Sequence, residues 1–198
     1  MNRHSLKLFE TSQYCITFQS FPPDDSYIEL NQTHSSHICE LNNIGKEFSG
    51  EDGIIFSFPP PSSVVIKTAD CFPICFIGVE KVALIHAGWR GVKLKIQLDQ
   101  LIKELAPHTI ITGPSICDQC FEVTDEFHHQ FPGKDEYFQQ SGDQLFFHLK
   151  TLLKNQLSEH YPDAKVIISQ QCTRCDERWH SHRRNKTKNR NFTVFQKR

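Results

Sequence analysis

The sequence predicts a single α/β (α+β) domain spanning residues 1–198, with a mixed sheet and outer helices. Three observations carry that prediction. Short β-branched and apolar runs recur through the middle of the chain, helix-period apolar stripes follow them, and the two mix without a regular βαβ rhythm. The last point weighs against a Rossmann-type fold. A chain of 198 residues is also long enough to bury a sizeable core.

Taken in order, SVVIKT at 63–68 is short and β-branched and reads as a strand, after a rigid Pro-rich turn at 57–63. PICFIGV and KVALIHA are two more strands, joined near 78–81 by a hairpin turn. Residues 92–105 switch to helical period, with Leu94, Leu98, Leu101, Ile102 and Leu105 on one stripe. TIIT at 109–112 returns to strand, and 124–131 suggests a short helix. A longer helix is expected over 142–159, with Ser141 and Gln144 as a capping box and Leu145, Leu149, Leu152, Leu153 and Leu157 as its buried face. KVIIS and NFTVF are late strands.

Composition narrows the function classes. Charged residues form 23% of the chain, which does not match a disordered protein, and no apolar run reaches bilayer-spanning length. The N-terminus lacks the apolar segment and small-residue cleavage site of a secretory signal, so a cytoplasmic location is expected. Eight cysteines in such a chain point to reduced thiols, with metal binding or catalysis among them. From Cys172 onward nine Lys or Arg face two acids, leaving 13 bases against 21 acids before it. That tail could bind nucleic acid, form a solvated strip or clamp an anion. Trp179, Phe192 and Phe195 within it predict packing on the domain, which weighs against nucleic acid.

The densest cluster of chemically special residues is Asp70, Cys71, His86, Gly88, Trp89, Arg90 and Gly91. Cys71 and His86 are fifteen positions apart across the predicted hairpin, so antiparallel pairing would bring them to one rim. They could be nucleophile and base, two metal ligands, or two structural residues. The glycines around Trp89 and Arg90 permit a sharp turn and close approach of a ligand, and the segment precedes a predicted helix whose N-terminus favours anions. Upstream, His34 and His37 offer a third partner. Two imidazoles and one thiolate would match a three-ligand zinc site with one position open.

ADCFPICF, HAGWRG, GPSICDQCFEV and SHRRNKTKNR together resemble the YfiH-like purine nucleoside phosphorylase family, formerly called laccase-domain or polyphenol oxidase proteins. The resemblance runs from about Asn31 to Phe195, with QTH at 32–34 and EDGIIFS at 51–57 as further matching segments. It implies mixed sheets layered between helices in an α/β/β/α-like arrangement. It implies His34, Cys71 and His86 as metal ligands and catalytic residues, with Arg90 beside them, and Glu122, Arg183 and Arg184 at the substrate. The ion implied is zinc, with copper as the alternative. The implied reactions are phosphorolysis of adenosine, inosine and methylthioadenosine, together with adenosine deamination. Water activated at zinc could attack C6 of adenine, and arginines could hold phosphate for attack at the ribose. The chain departs from the family in a shortened segment before His34, in Ser35 where glycine is usual, and in KNR where Thr-Gly-Arg is usual.

CDQC at 117–120 and CTRC at 172–175 could form a second, Cys₄ zinc site, or could be four separate packing residues. His128 and His129 are expected at the surface. Two other enzyme readings compete with the first. One is a Cys–His hydrolase or amidase-deamidase with Cys71 as nucleophile and His86 as base. The other, a copper-dependent polyphenol oxidase, ranks last, because the chain is expected to lack the His-x-His pairs from which multicopper oxidases build clustered sites.

Overall fold

The computed structural model describes residues 3–41 and 49–198. A five-stranded sheet contains β1 (Ser5–Glu10), β2 (Tyr14–Gln19), β3 (Tyr27–Glu29), β6 (Ser63–Thr68) and β14 (Asn191–Lys197), in the order β1-β2-β14-β6-β3. A six-stranded sheet contains β4 (Ile38–Glu40), β5 (Gly53–Ser57), β7 (Phe72–Ile77), β8 (Lys81–Ala87), β9 (Thr109–Thr112) and β13 (Lys165–Ile167), ordered β13-β9-β7-β8-β5-β4. A small third sheet joins β10 (Glu122–Val123), β11 (Phe138–Ser141) and β12 (Gln144–Phe147). The helices are α1 (Trp89–Lys93), α2 (Gln100–Glu104), α3 (Leu149–His160) and α4 (His182–Asn185).

Side-chain alternation explains the layers. Successive strand residues point to opposite faces, so a strand buried on both sides must be apolar throughout. Along β5, Ile54 and Phe56 join one core with Ile16, Val64, Ile66 and Phe195 of the five-stranded sheet, whereas Ile55 joins the other. That second core contains Phe72, Ile74 and Phe76 of β7, together with Leu149, Leu152, Leu153 and Leu157 of α3. The six-stranded sheet is therefore the middle layer, which accounts for the unbroken apolar reading of PICFI and VALI.

The predicted hairpin is present. Ile77 pairs with Val82 at the turn and Phe72 with Ala87 at the mouth, so Cys71 and Gly88 flank the open end. The basic tail packs as expected: β14 lies at the centre of its sheet, and Trp179 and Phe195 are buried. Each large ring so buried stabilises the fold by about 2–3 kcal/mol.

Two helix expectations are corrected. The span 92–105 is broken into α1, a short 3₁₀ turn at Ile96–Leu98 and α2, because Lys95 takes a left-handed φ of 60° and the Asp99 side chain accepts from Leu101 N to start α2. Leu94 consequently remains 57% exposed instead of lying on a buried stripe. Residues 142–148 are not helical. Gly142, at φ 59°, and Asp143 close a hairpin between β11 and β12, and Ser141 pairs with Gln144 across it. A Gly at positive φ followed by Asp suits a two-residue hairpin loop. The helix begins only at Leu149, and its N-terminal cap is remote in sequence: Asp118 accepts from Lys150 N at 2.8 Å and from Thr151 Oγ1 at 2.6 Å. The strands at the N-terminus were not anticipated.

Candidate active site

Asp52 organises the site. It ends the loop before β5, where Gly53 pairs with Ile85 of β8, and its own carbonyl accepts from His86 N at 2.7 Å. Its carboxylate, fully buried, then takes two further jobs. Oδ1 lies 2.6 Å from His86 Nδ1, while Oδ2 accepts from Thr33 N and Ser35 N on either side of His34. One carboxylate thus holds the ring of one histidine and the loop that presents another. His34 sits at φ 62°, a left-handed conformation that L residues adopt only when neighbouring contacts enforce it. Gln32 adds a two-way hydrogen bond to the backbone of Lys67, at 2.8 Å in each direction. Ser35, in the usual glycine position, donates its hydroxyl to Gly50 O at 2.8 Å.

The hairpin mouth supplies the sulfur. Cys71 Sγ is 3.7 Å from His34 Nε2, the His34 and His86 rings meet edge-to-face at 4.6 Å, and one ligand atom from each of the three residues lies within 4.8 Å of the others. Burial decreases outward from Asp52 through His86 and Cys71 to exposed His34. Gly88 makes the approach feasible, since a Cβ there would stand 3.0 Å from Cys71 Sγ and 3.1 Å from His34 Cδ2. Gly88→Ala is accordingly expected to keep the fold but lower metal affinity roughly 10–100-fold, measured by competitive chelation.

Charges in the cluster are mutually reinforcing. Burial pushes the Cys71 thiol up, but His86 and His34 outweigh it and bring it down to about 6. Burial pushes His86 down, but Cys71 and Asp52 raise it to about 9. Asp52 is held at about 2, because His86 and the Ser35 contacts overcome the penalty of burial. Without metal, the favoured state is therefore thiolate, imidazolium and carboxylate. Cys71's contribution to stability is present above its unfolded value and is lost as pH falls through about 6. His86's is present below about 6.5 and lost as pH rises through about 9. Between those limits the proton has only moved from sulfur to ring, so the pair leaves stability flat. Carboxamidomethylation of Cys71 in metal-free protein should show a midpoint near pH 6, against about 8.5 for a free thiol. A midpoint at the free-thiol value would overturn this electrostatic picture.

The donor set fits a zinc ion. Bonds of about 2.0–2.3 Å in a tetrahedron require ligand separations of about 3.3–3.8 Å, close to those present. Asp52 occupies Nδ1 of His86 and leaves Nε2 for the metal, an arrangement that fixes the tautomer and orients the ring. His34, Cys71 and His86 line a cleft of about 840 Å³, from which a fourth ligand could reach an ion held by the three. Trp89, Phe121 and Phe127 supply aromatic wall, and Lys67, Arg90, Arg183, Lys188 and Arg190 supply positive charge.

The other expected residues are placed as follows. Arg90 lies at the rim, its guanidinium 4.5 Å from the centroid of the Trp89 ring. Its helix α1 has only five residues, too few for the anion-binding terminus expected there. Glu122 lines the cleft, and its carbonyl accepts from Arg183 Nη1 at 2.6 Å while Arg183 packs over Phe121. Arg184 is outside the cleft lining; its guanidinium donates to the carbonyls of Thr173, Arg174, Asp176 and Trp179 and so anchors the tail. Asp70, at φ 89°, is a brace: its carboxylate accepts from Thr173 Oγ1 at 2.7 Å and Arg183 N at 2.6 Å. His37 and the pair His128–His129 are outside both candidate metal groups found among the described residues. A His-x-His triplet does occur, at His180-Ser181-His182, correcting the expectation that none exists. His180 is tied to Ser20 O at 3.1 Å, and neither ring joins a three-ligand group among the described residues. The organising role of Asp52 was missed; its sequence signals are the resemblance of EDGIIFS to the family's Asp-containing strand and its place before a strand that pairs beside His86.

A fold whose middle sheet brings Cys71 and His86 to the open end of its central hairpin, where His34 of the β3–β4 loop meets them under a cationic cleft, defines a class that sequence comparison makes explicit. The chain belongs to the laccase-domain, YfiH-like family, whose model, described as multi-copper polyphenol oxidoreductase laccase, matches residues 11–195. A purine nucleoside phosphorylase of Aquifex aeolicus is 34% identical over 183 residues, covering 90% of this chain and 86% of that protein. Adenosine deaminase RL5, from an unknown prokaryotic organism, is 28% identical over 177 residues, covering 77% and 67%. Among solved structures, YlmD of Geobacillus stearothermophilus superposes with a TM-score of 0.72 at 24% identity, covering 87% of this chain and 73% of that one. No helix among the described residues is long and apolar enough to cross a membrane.

Proposed function

We propose that the protein is a zinc-dependent purine nucleoside enzyme, cleaving adenosine, inosine and methylthioadenosine with phosphate and also deaminating adenosine. The observation that carries this reading is the convergence of His34, Cys71 and His86 beneath a cleft rimmed by five cationic side chains. Its relatives named purine nucleoside phosphorylase and adenosine deaminase support the substrate class.

In phosphorolysis a phosphate oxygen forms a bond to ribose C1′, the C1′–N9 bond breaks, and the purine leaves with the bonding electrons. Arg183, Lys188 and Arg190 neutralise the phosphate, with Arg190 presented by a turn whose carbonyls at Thr187 and Asn189 accept from its Nη1. Trp89, Phe121 and Phe127 offer apolar surface to the base and shield the reacting atoms from water. In deamination, water attacks C6 and ammonia departs. Zinc, when bound, supplies Lewis acidity for that step near neutral pH. His86 keeps its ring fixed through Asp52.

The test is incubation of zinc-replete protein with adenosine, with and without phosphate. Adenine formed only with phosphate, and inosine formed in either case, are expected. Neither product from any of several purine nucleosides would overturn the proposal. His34→Ala should remove the ion and at least a hundredfold of the activity together, read by metal analysis and product formation.

A second reading draws on the depressed Cys71 thiol and the Cys71–His86–Asp52 alignment, which is also the layout of a cysteine hydrolase. Full activity on amides from metal-free protein, abolished by alkylation of Cys71, would favour it. Copper in place of zinc, with phenol oxidation, is the outcome that the family's older description would predict.

A further inference from the structure

Away from the cleft, two sequence-distant C-x-x-C pairs meet. Cys117, Cys120, Cys172 and Cys175 place their four sulfurs within 4.8 Å of one another. The segments are brought together by backbone pairing: Ser115 forms a parallel bridge with Cys172, and Thr173 N donates to Ser115 O at 3.0 Å. Cys117 N points at Cys172 Sγ from 3.3 Å, and Cys120 Sγ is 3.3 Å from Cys175 Sγ. Within each pair the chain turns tightly, with Cys120 N donating to Cys117 O and Asp176 N donating to Cys172 O, both at 3.0 Å. All four cysteines are free thiols.

Independently of the purine reading, we propose that these four cysteines form a closed tetrathiolate zinc site that staples the basic tail to the rest of the domain. Zinc–sulfur bonds of about 2.3 Å make a tetrahedron with edges of about 3.8 Å, so the four sulfurs need shift only slightly. A backbone N–H aimed at a cysteine sulfur stabilises a thiolate more than a neutral thiol, which is only a weak acceptor. Charge compensation is also built in. A zinc tetrathiolate carries two net negative charges, and two cations stand beside these sulfurs. Lys150 Nζ donates to Gln171 O at 3.5 Å, next to Cys172, and Arg174 stands between Cys172 and Cys175 in the chain. Lys150 Nζ is held there by the carbonyl of Ser169 at 3.1 Å.

The site's position gives it a structural function. Asp118, between the first two cysteines, caps α3, and Thr173, between the second two, bonds Asp70 beside Cys71. Arg184 then gathers the carbonyls of Thr173, Arg174 and Asp176. A metal clamp here fixes both ends of that network without touching the cleft. Four ligands and no open position suit a structural ion, whereas the three-ligand centre retains a vacancy for chemistry.

The test uses the full chain carrying His34→Ala and Cys71→Ser, which removes the other candidate centre. Expressed with zinc, it should retain about one ion per chain. Exchange with cobalt should give the strong thiolate charge-transfer and visible d–d bands of a tetrahedral tetrathiolate. Adding Cys175→Ser, at the exposed corner, should speed chelator-driven metal loss at least about tenfold with the far-ultraviolet spectrum retained. Zinc removal should lower the thermal midpoint. Absence of the ion, with four thiols open to modification in folded protein, would overturn the proposal. So would disulfides between these cysteines in protein prepared reduced, or a cobalt spectrum without thiolate bands.

Discussion

Asp52→Ala is expected to destabilise the protein by about 3–5 kcal/mol, because it strands a buried partner and breaks a charged network at once. For a chain of this length that is a fall in thermal midpoint of roughly 6–20 °C. His86 would lose the acceptor at Nδ1, and Thr33 N and Ser35 N would lose theirs, so the left-handed turn at His34 would keep only the Gln32, Thr33 and Ser35 side-chain bonds around it. Metal affinity should fall about 10–100-fold. Asp52→Asn separates the two effects. It keeps the shape and one acceptor but sets an NH2 group against either His86 Nδ1 or the Thr33 and Ser35 amides, so it should recover only part of the stability while the His86 ionisation falls. The wild-type protein should also lose Asp52's contribution as pH falls below about 3.9 towards about 2, since the carboxylate is depressed in the folded state. An unchanged midpoint in the alanine variant would remove Asp52 from its central place.

Asp70→Ala should be the next most damaging change, at about 2–4 kcal/mol. It removes charged acceptors from buried Thr173 Oγ1 and from Arg183 N. Its consequence should reach beyond stability. The brace connects the turn carrying Cys71 to the tail carrying Arg183, Lys188 and Arg190, so the cationic wall should lose its register with the His34–Cys71–His86 cluster. On the purine reading, the KM for phosphate should rise at least about tenfold with adenosine deamination affected less. Denaturant titration and the phosphate dependence of adenine formation measure the two parts separately. A variant with normal stability and normal phosphate dependence would refute the brace.

The two misread helices show how local pattern yields to tertiary context. Leu145, Leu149, Leu152, Leu153 and Leu157 are all buried, yet Leu145 belongs to a strand, because leucines three or four apart also suit a strand followed by a helix. The helix start was hidden because its cap, Asp118, comes from a distant loop. Lys95 broke the other helix without glycine or proline to announce it. By contrast the hairpin, the central strands and the packed tail were legible, each carrying its own apolar run and turn residues.

By itself, the amino-acid order determined which atoms were on offer: a thiol and an imidazole at the ends of one apolar hairpin, a histidine upstream, paired cysteines, and a basic tail with aromatic anchors. Those readings depend on short-range periodicity and side-chain chemistry, which neighbours along the chain express directly. Tertiary structure alone decided that Asp52 would serve both histidines, that Asp70 would brace the tail, that Arg183 would face the cleft while Arg184 turned to carbonyls, and that Cys117, Cys120, Cys172 and Cys175 would share one corner. The reason is physical. A buried carboxylate or guanidinium must find partners wherever packing places them, and those partners stand up to 113 residues away.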